Sequence, residues 1–351
     1  MNILDYDTVA LDDSDSALVI IDQTKLPNQL EILHLHTQKE IWDAIYLLQV
    51  RGAPAIGVAA GYGVYLAAKG IDTEDYAFFE QEFVKASDYL NSSRPTAVNL
   101  SWALKRMKDV VIAGRGGSVA DAKQKLLAEA KAIQQEDIDT CRRIGELGLS
   151  LVKPGDGILT HCNAGQLATS RYGTATAPMY LGHKQGYHFK IYCDETRPLL
   201  QGARLTSYEL SSAGLDVTVL CDGMAASLMK QGKIQAVFTG CDRVAANGDA
   251  ANKIGTMPLA IAAKYFGIPF YICAPSSTID MSSKTGRDIK IEQRPAEEVT
   301  EMWYKERMAP KDIKVFNPAF DVTDAELITA IITEKGILRA PYTESIKSIF
   351  K

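Results

Sequence analysis

The sequence predicts an α/β protein with a doubly wound, Rossmann-like parallel sheet in its C-terminal domain and a smaller, mainly helical α+β N-terminal domain. Three observations carry this. Past residue 156, short apolar runs alternate with helical stretches about every 25–30 residues, as βαβ units do. Before that point helical stretches dominate, with a strand pair near the start. Between the two, Pro154-Gly155-Asp156-Gly157 ends a long charged helix and marks the boundary, giving domains at 1–150 and 151–351.

In the N-terminal part, residues 17–22 and 30–35 read as paired strands joined by the turn-like Lys25-Leu26-Pro27-Asn28. His34 and His36 share one face of the second strand. No Asp, Glu or Cys cluster accompanies them in sequence, so a surface role outweighs a metal role. Lys39 to Val50 reads as an amphipathic helix. Arg51-Gly52-Ala53-Pro54-Ala55-Ile56-Gly57 then opens a buried helix, with Pro54 suited to its first turn. Free N–H groups at Gly52 and Ala53, with Arg51 beside them, form a candidate phosphate cradle. Helices follow at about 73–91, 97–113 and 118–152. Arg94, held extended by Pro95, is a second candidate cation for an oxyanion.

The C-terminal strands are Ile158-Leu159-Thr160-His161, Phe189 to Cys193, Val217 to Leu220, Ala236-Val237-Phe238 and Phe270 to Cys273. Helices are expected at about 170–183, 201–212, 223–231, 257–266 and 324–335, and a short further strand at Ile313 to Phe316. In an open α/β sheet, ligands bind outside the carboxyl ends of the strands. Two such exits are chemically equipped. One is Thr160-His161-Cys162-Asn163-Ala164-Gly165, where small residues and backbone N–H groups around Cys162 would stabilise a thiolate or a developing oxyanion. The other is Gly240-Cys241-Asp242-Arg243, with a turn at Asn247-Gly248 and an Asn252-Lys253 pair read as a helix start. Cys162 and Asp242 make a candidate acid/base pair. Arg51, Arg94 and Lys253 would neutralise a phosphate dianion.

Composition narrows the classes. The chain has 351 residues, 46% hydrophobic and 23% charged, with a net charge of −5. That balance argues against a nucleic-acid partner. No apolar run approaches the roughly 18 residues of a membrane span, and the first residues lack a basic or apolar leader, so a cytoplasmic location is expected. The six cysteines form no C-x-x-C pair and fit no zinc spacing. No G-x-G-x-x-G opens a helix after a strand, and there is no P-loop and no G-x-S-x-G. Cofactor-free and metal-free chemistry leads.

The chain resembles the methylthioribose-1-phosphate isomerases of methionine salvage, which are homologous to regulatory subunits of a translation initiation exchange factor. The likeness covers nearly the whole chain. It rests on Arg51 to Gly57, His161-Cys162-Asn163, Asp194-Glu195-Thr196-Arg197-Pro198, Leu200 to Arg204, Asp242-Arg243 with Ala245 to Asp249, and Ala251 to Gly255. The resemblance implies isomerisation of 5-methylthioribose 1-phosphate to 5-methylthioribulose 1-phosphate without added cofactor. It implies Cys162 and Asp242 as catalytic groups, substrate binding by Arg51, Gly52, Ala53, Arg94, Gln201, Asn252 and Lys253, and a homodimer. Leu199 and Ser276 stand where the family carries an aromatic and a Phe, and smaller side chains there would reshape the space for the 5-substituent. A 5-deoxyribose 1-phosphate substrate therefore stays open, as does a non-catalytic regulatory subunit of the same fold. The presence of both Cys162 and Asp242 favours an enzyme.

Overall fold

The chain begins with an antiparallel sheet of β1 (Val9–Asp12), β2 (Ala17–Ile21) and β3 (Ile32–Leu35), in that order. The computed structural model describes residues 3–95 and 97–350. It divides into two units, one running to Asp139 and including Gln166–Gly173, the other made of Thr140–Gly165 and the chain from Thr174 onward. β1 was not expected. Its Val-Ala-Leu-Asp run is short, and only pairing with β2 makes it a strand. His34 and His36 are exposed, with Asp15 at 3.8 and 3.6 Å.

Four helices follow before the chain turns into α5, namely α1 (Gln38–Tyr46), α2 (Ala53–Gly70), α3 (Tyr76–Asn91) and α4 (Val98–Ala113). A capping box between Thr37 and Glu40 starts α1, and the Asp75 carboxylate accepts the Ala77 and Phe78 N–H groups at the start of α3. α2 is the core of the first unit. Every residue from Ala55 to Tyr65 is buried, as expected of a helix apolar on all sides. It begins at Gly52, whose φ of 90° few side chains adopt. A Cβ there would also lie 2.4 Å from the Ala168 Cα.

α5 (Val119–Leu149) leads into the second unit, followed by β4 (Gly157–His161), α6 (Ala177–Lys184), β5 (Lys190–Asp194), α7 (Ser207–Ser212), β6 (Asp216–Leu220), α8 (Ala225–Lys230) and β7 (Ala236–Thr239). Then come β8 (Arg243–Ala245), β9 (Ala250–Lys253), α9 (Thr256–Phe266), β10 (Phe270–Cys273), β11 (Ile279–Asp280), α10 (Glu297–Thr300), β12 (Phe320–Thr323), β13 (Ala330–Thr333), β14 (Gly336–Leu338) and α11 (Tyr342–Ser348). The main sheet has the order β14-β13-β10-β7-β4-β5-β6, and its strands are parallel except for β14. β4, β7, β10 and β13 are buried along their whole length, which explains their uninterrupted apolar runs. Strand order reverses between β4 and β7. From β4 the chain builds outward through β5 and β6, then returns to the other side of β4 and builds outward again. That pair is the topological switch point of the sheet.

Three expectations are corrected. The helix expected over 324–335 is a single 3₁₀ turn, Ala325–Leu327, followed by β13. The β-branched run Ile328 to Thr333 suits a buried strand that pairs with β10. No strand forms at 313–316, where Ile313 and Phe316 are exposed. The stretch between β7 and α9 is not a plain loop. β8 and β9 pair as an antiparallel hairpin around Asn247-Gly248, with Gly248 at φ 92°. Asn252 and Lys253 therefore lie on β9, and α9 starts at Thr256.

Candidate active site

Cys162 is the first residue past β4, and Asp242 follows β7 by three. His161 and Thr239 are register partners at the ends of those neighbouring strands. The two exits pack closely, because a Cβ on Gly240 would fall 2.4 Å from the Ala164 Cβ. Both chemical groups thus leave the switch point at the carboxyl edge of the sheet.

Cys162 is 9% exposed and adopts φ 64°, a left-handed conformation that costs a side-chain-bearing residue about 1–3 kcal/mol. Its N–H donates to the Thr196 Oγ1 at 2.8 Å and its carbonyl accepts from the Thr206 Oγ1 at 2.6 Å. Its own N–H is thereby committed to Thr196. The next residue, Asn163, donates through Nδ2 to Thr206 Oγ1 at 3.1 Å and to the fully buried Glu209 at 3.2 Å. Burial pushes the thiols of Cys193, Cys241 and Cys273 well above the usual cysteine range. Those three are packing residues.

His161, one residue before Cys162, is 1% exposed. Its Nδ1 lies 3.0 Å from the Asp194 carboxylate and its Nε2 donates to the Ile254 carbonyl at 2.9 Å. Burial works to lower the His161 pKa, but the bond and charge of Asp194 outweigh it and hold the imidazole above its ordinary value. Burial in turn raises the Asp194 carboxyl. The pair shares a proton in the interior and ties the end of β4 to the end of β5 and to the residue after Lys253. Asp222, past β6, accepts the Thr196 and Arg197 N–H groups at 2.7 and 2.8 Å. The Thr196 loop is thereby fixed from below.

Asp242 is exposed, and its N–H donates to the Ala251 carbonyl at 2.9 Å across the hairpin base. The enclosed carboxyl expected from the sequence is not supplied by its own hairpin. The same pairing brings Asp242 beside β9. Asn252 is 5% exposed, and its Nδ2 donates to Thr256 Oγ1 at 3.0 Å. The Lys253 ammonium stands 4.9 Å from the Phe320 ring centre. Asp321, facing Asn252 on β12, accepts the Gly255 and Met257 N–H groups at 2.8 and 3.1 Å and caps α9.

Gln201 opens a π-helical turn, Gly202–Thr206. It is 6% exposed, and its Oε1 has no partner among the described residues. A buried, unsatisfied oxygen of this kind is costly unless a ligand meets it. Gly202 admits no side chain, because a Cβ would sit 1.6 Å from the Asp194 carbonyl. Leu199 is half-buried in the same loop, and buried Ser276 bonds through its N–H and hydroxyl to Glu334. Cys162, Gln201, Asp242, Asn252 and Lys253 belong to the second unit. Arg51, Gly52, Ala53 and Arg94 belong to the first, where Gly52 and Ala53 occupy the N-terminal turn of α2 and Arg94 the link from α3 to α4. Thr196, Thr206, Glu209 and the His161–Asp194 pair were not assigned roles from sequence. Asp194 and Thr196 stand in a motif that was noted, but only pairing across strands shows what they hold.

A thiol and a carboxyl leave neighbouring strands at the switch point of a doubly wound sheet, the edge where α/β enzymes of this class hold their ligands. Comparison with known proteins places the chain further. The chain belongs to the initiation factor 2 subunit family, whose family model matches residues 49–340. It is 61% identical over 343 residues to a methylthioribose-1-phosphate isomerase of Symbiobacterium thermophilum, covering 98% of this chain and 96% of that one. It is 58% identical over 343 residues to a 5-deoxyribose 1-phosphate isomerase of Petrotoga mobilis, covering 98% and 99%. The crystal structure of 5-methylthioribose 1-phosphate isomerase from Pyrococcus horikoshii OT3 superposes with a TM-score of 0.94 at 43% identity, covering 98% of this chain and 96% of that one.

Proposed function

We propose that the chain isomerises 5-methylthioribose 1-phosphate to 5-methylthioribulose 1-phosphate, an aldose–ketose conversion without added cofactor. The observation that carries this is the placement of Cys162 and Asp242 on neighbouring strand exits at the switch point. The substrate's anomeric carbon bears phosphate, so its ring does not open to a free aldehyde unaided. Asp242, protonated, donates to the ring oxygen as the C1–oxygen bond breaks. The hydrogen on C2 moves to C1, and the C2 hydroxyl returns a proton to the Asp242 carboxylate as it becomes the ketone, so the step is proton-neutral. Cys162 assists that transfer, either taking the C2 proton through an enediol or stabilising a direct hydride shift. Because Asp242 is exposed, the bound sugar must itself cover the carboxyl to raise its pKa toward neutral.

Substrate binding is assigned to Arg51, Gly52, Ala53, Arg94, Gln201, Asn252 and Lys253. Supporting this, Gln201 carries a buried oxygen with no partner among the described residues, and Gly52 and Ala53 begin a helix whose N-terminus has no side-chain cap, as phosphate-binding helix starts do. The 5-substituent is the second reading. Leu199 and Ser276, together with the 58% relative named for 5-deoxyribose 1-phosphate, favour a site that also accepts the deoxy sugar. Turnover of the purified protein with 5-methylthioribose 1-phosphate, 5-deoxyribose 1-phosphate and ribose 1,5-bisphosphate tests both. Conversion of the methylthio sugar is expected, and conversion of none of the three would overturn the assignment. Among the described residues no helix is long and apolar enough to cross a membrane. The proposed setting is the cytoplasm and the proposed assembly a homodimer, which light scattering at twice the chain mass would support.

A further inference from the structure

Cys162 sits in a left-handed backbone conformation, and side-chain hydroxyls meet both its N–H and its carbonyl. We propose that Thr196 and Thr206 are positioning residues that set the Cys162 thiol for the isomerisation by clamping its N–H and its carbonyl. The proposal rests on the assignment of Cys162 as a catalytic group.

The polarity of each clamp is fixed by a second partner. The Thr196 hydroxyl donates its one proton to the Asp194 carbonyl at 3.1 Å, so its lone pairs face the Cys162 N–H at 2.8 Å. The Thr206 hydroxyl accepts from the Asn163 amide at 3.1 Å, so its proton goes to the Cys162 carbonyl at 2.6 Å. Neither hydroxyl can reverse without losing a bond, and both threonines are fully buried. Thr196 is itself held at φ 64°, rare for a β-branched residue, by the Asp222 carboxylate on its N–H. The strain at Cys162 is therefore maintained by two hydroxyls anchored in different elements, the β5 exit and the π-helical turn before α7. Remove either oxygen and the Cys162 peptide is free to relax toward an ordinary conformation. That relaxation would move the thiol away from its place at the sheet edge.

The test compares Thr196→Val and Thr206→Val with Thr196→Ser and Thr206→Ser, following kcat, KM and iodoacetamide alkylation of individual cysteines read by peptide mass spectrometry. Valine keeps the shape and loses the hydroxyl, whereas serine keeps the hydroxyl. Displacing a reactive group by about an ångström costs on the order of 100-fold. We therefore expect each valine variant to lose roughly 30- to 100-fold in kcat with KM within about threefold, and each serine variant to stay within about fivefold of wild type. The alkylation rate of Cys162 should change at least about fivefold in the valine variants, while that of the exposed Cys221 does not. Valine variants that turn over within about threefold of wild type with unchanged Cys162 alkylation would overturn the proposal, as would a kcat loss that serine does not rescue. Should a valine variant not fold, the serine variants decide, because loss of activity in a folded serine variant contradicts a role carried by the hydroxyl. Cys162→Ser is measured alongside. If it is inactive while the valine variants are normal, only the positioning role fails. If it retains wild-type turnover, the functional assignment fails and this inference with it.

Discussion

The exits of β4 and β7 lie side by side, yet they place Cys162 and Asp242 by opposite means. Past β4 the chain leaves regular structure at once. Cys162 sits at φ 64°, and side-chain hydroxyls take up its N–H and its carbonyl. Past β7 the chain enters another sheet, where Asp242 is placed by a main-chain bond to Ala251 at the base of a hairpin. The thiol is thus positioned by particular side chains, and the carboxyl by strand register. The first arrangement gives a buried group held against strain. The second gives an exposed group on a frame of paired strands.

The largest expected effects fall on the two groups themselves. Cys162→Ser and Asp242→Asn should each lower turnover of 5-methylthioribose 1-phosphate by roughly 10²–10⁴-fold, the range of acid/base groups. Steady-state kinetics on folded protein checks this, and near wild-type rates in either would break the comparison at its root.

Glycines on each side probe the two supports. A Cβ at Gly165 would meet the Glu209 Oε1 at 1.6 Å, so Gly165→Ala must shift the buried carboxylate that receives the Asn163 amide. Turnover per folded molecule should fall by about tenfold or more, since small displacements at a reactive group are expensive. At Gly248, φ is 92° and a Cβ would lie 2.6 Å from the Tyr342 Cβ. Gly248→Ala should destabilise by about 1–3 kcal/mol while leaving kcat of the folded fraction nearer wild type, because the added methyl meets Tyr342 and not the hairpin base. Thermal melts run beside kinetics separate the two, and equal loss of kcat in both variants would contradict the contrast.

The smallest effect concerns pH. The folded-state pKa of His161 is raised above its ordinary value of 6.5 by Asp194, against the lowering effect of burial. Stability from a raised pKa is fully present below the unfolded value and is lost as pH rises through the folded one. Burial raises the Asp194 pKa as well, which acts in the same direction. The melting temperature should therefore decline on the alkaline side of 6.5, and His161→Gln should flatten that decline. A wild-type profile that instead rises over this window would count against the shared proton.

Much of this was legible in the sequence, for reasons that differ between elements. The buried parallel strands announce themselves because both faces are covered, so β4, β7 and β10 are continuous apolar runs. Cys162 and Asp242 stand out as candidates because they lie one and three residues past such strands. β13 was read as a helix because a short run of Ile, Thr and Ala carries no period of its own, and its identity comes from pairing with β10. Asn252 and Lys253 were misplaced onto a helix because Asn247-Gly248 was read as a turn without the strands it joins. The clamp on Cys162 was invisible for a deeper reason. Thr196 and Thr206 are separated from it by 34 and 44 residues, and a threonine at that distance looks like any other until the sheet brings strand ends together. The His161–Asp194 pair, 33 residues apart, has the same origin.

The central claim is that the two exits work as one unit on one substrate. The most direct test is the turnover of 5-methylthioribose 1-phosphate by the Cys162→Ser/Asp242→Asn double variant beside the two single variants. Groups that serve a single chemical event lose most of the rate at the first deletion. The double variant should be about as slow as the slower single one. A double variant whose loss equals the product of the two single losses would show that Cys162 and Asp242 act independently, and would contradict the central claim.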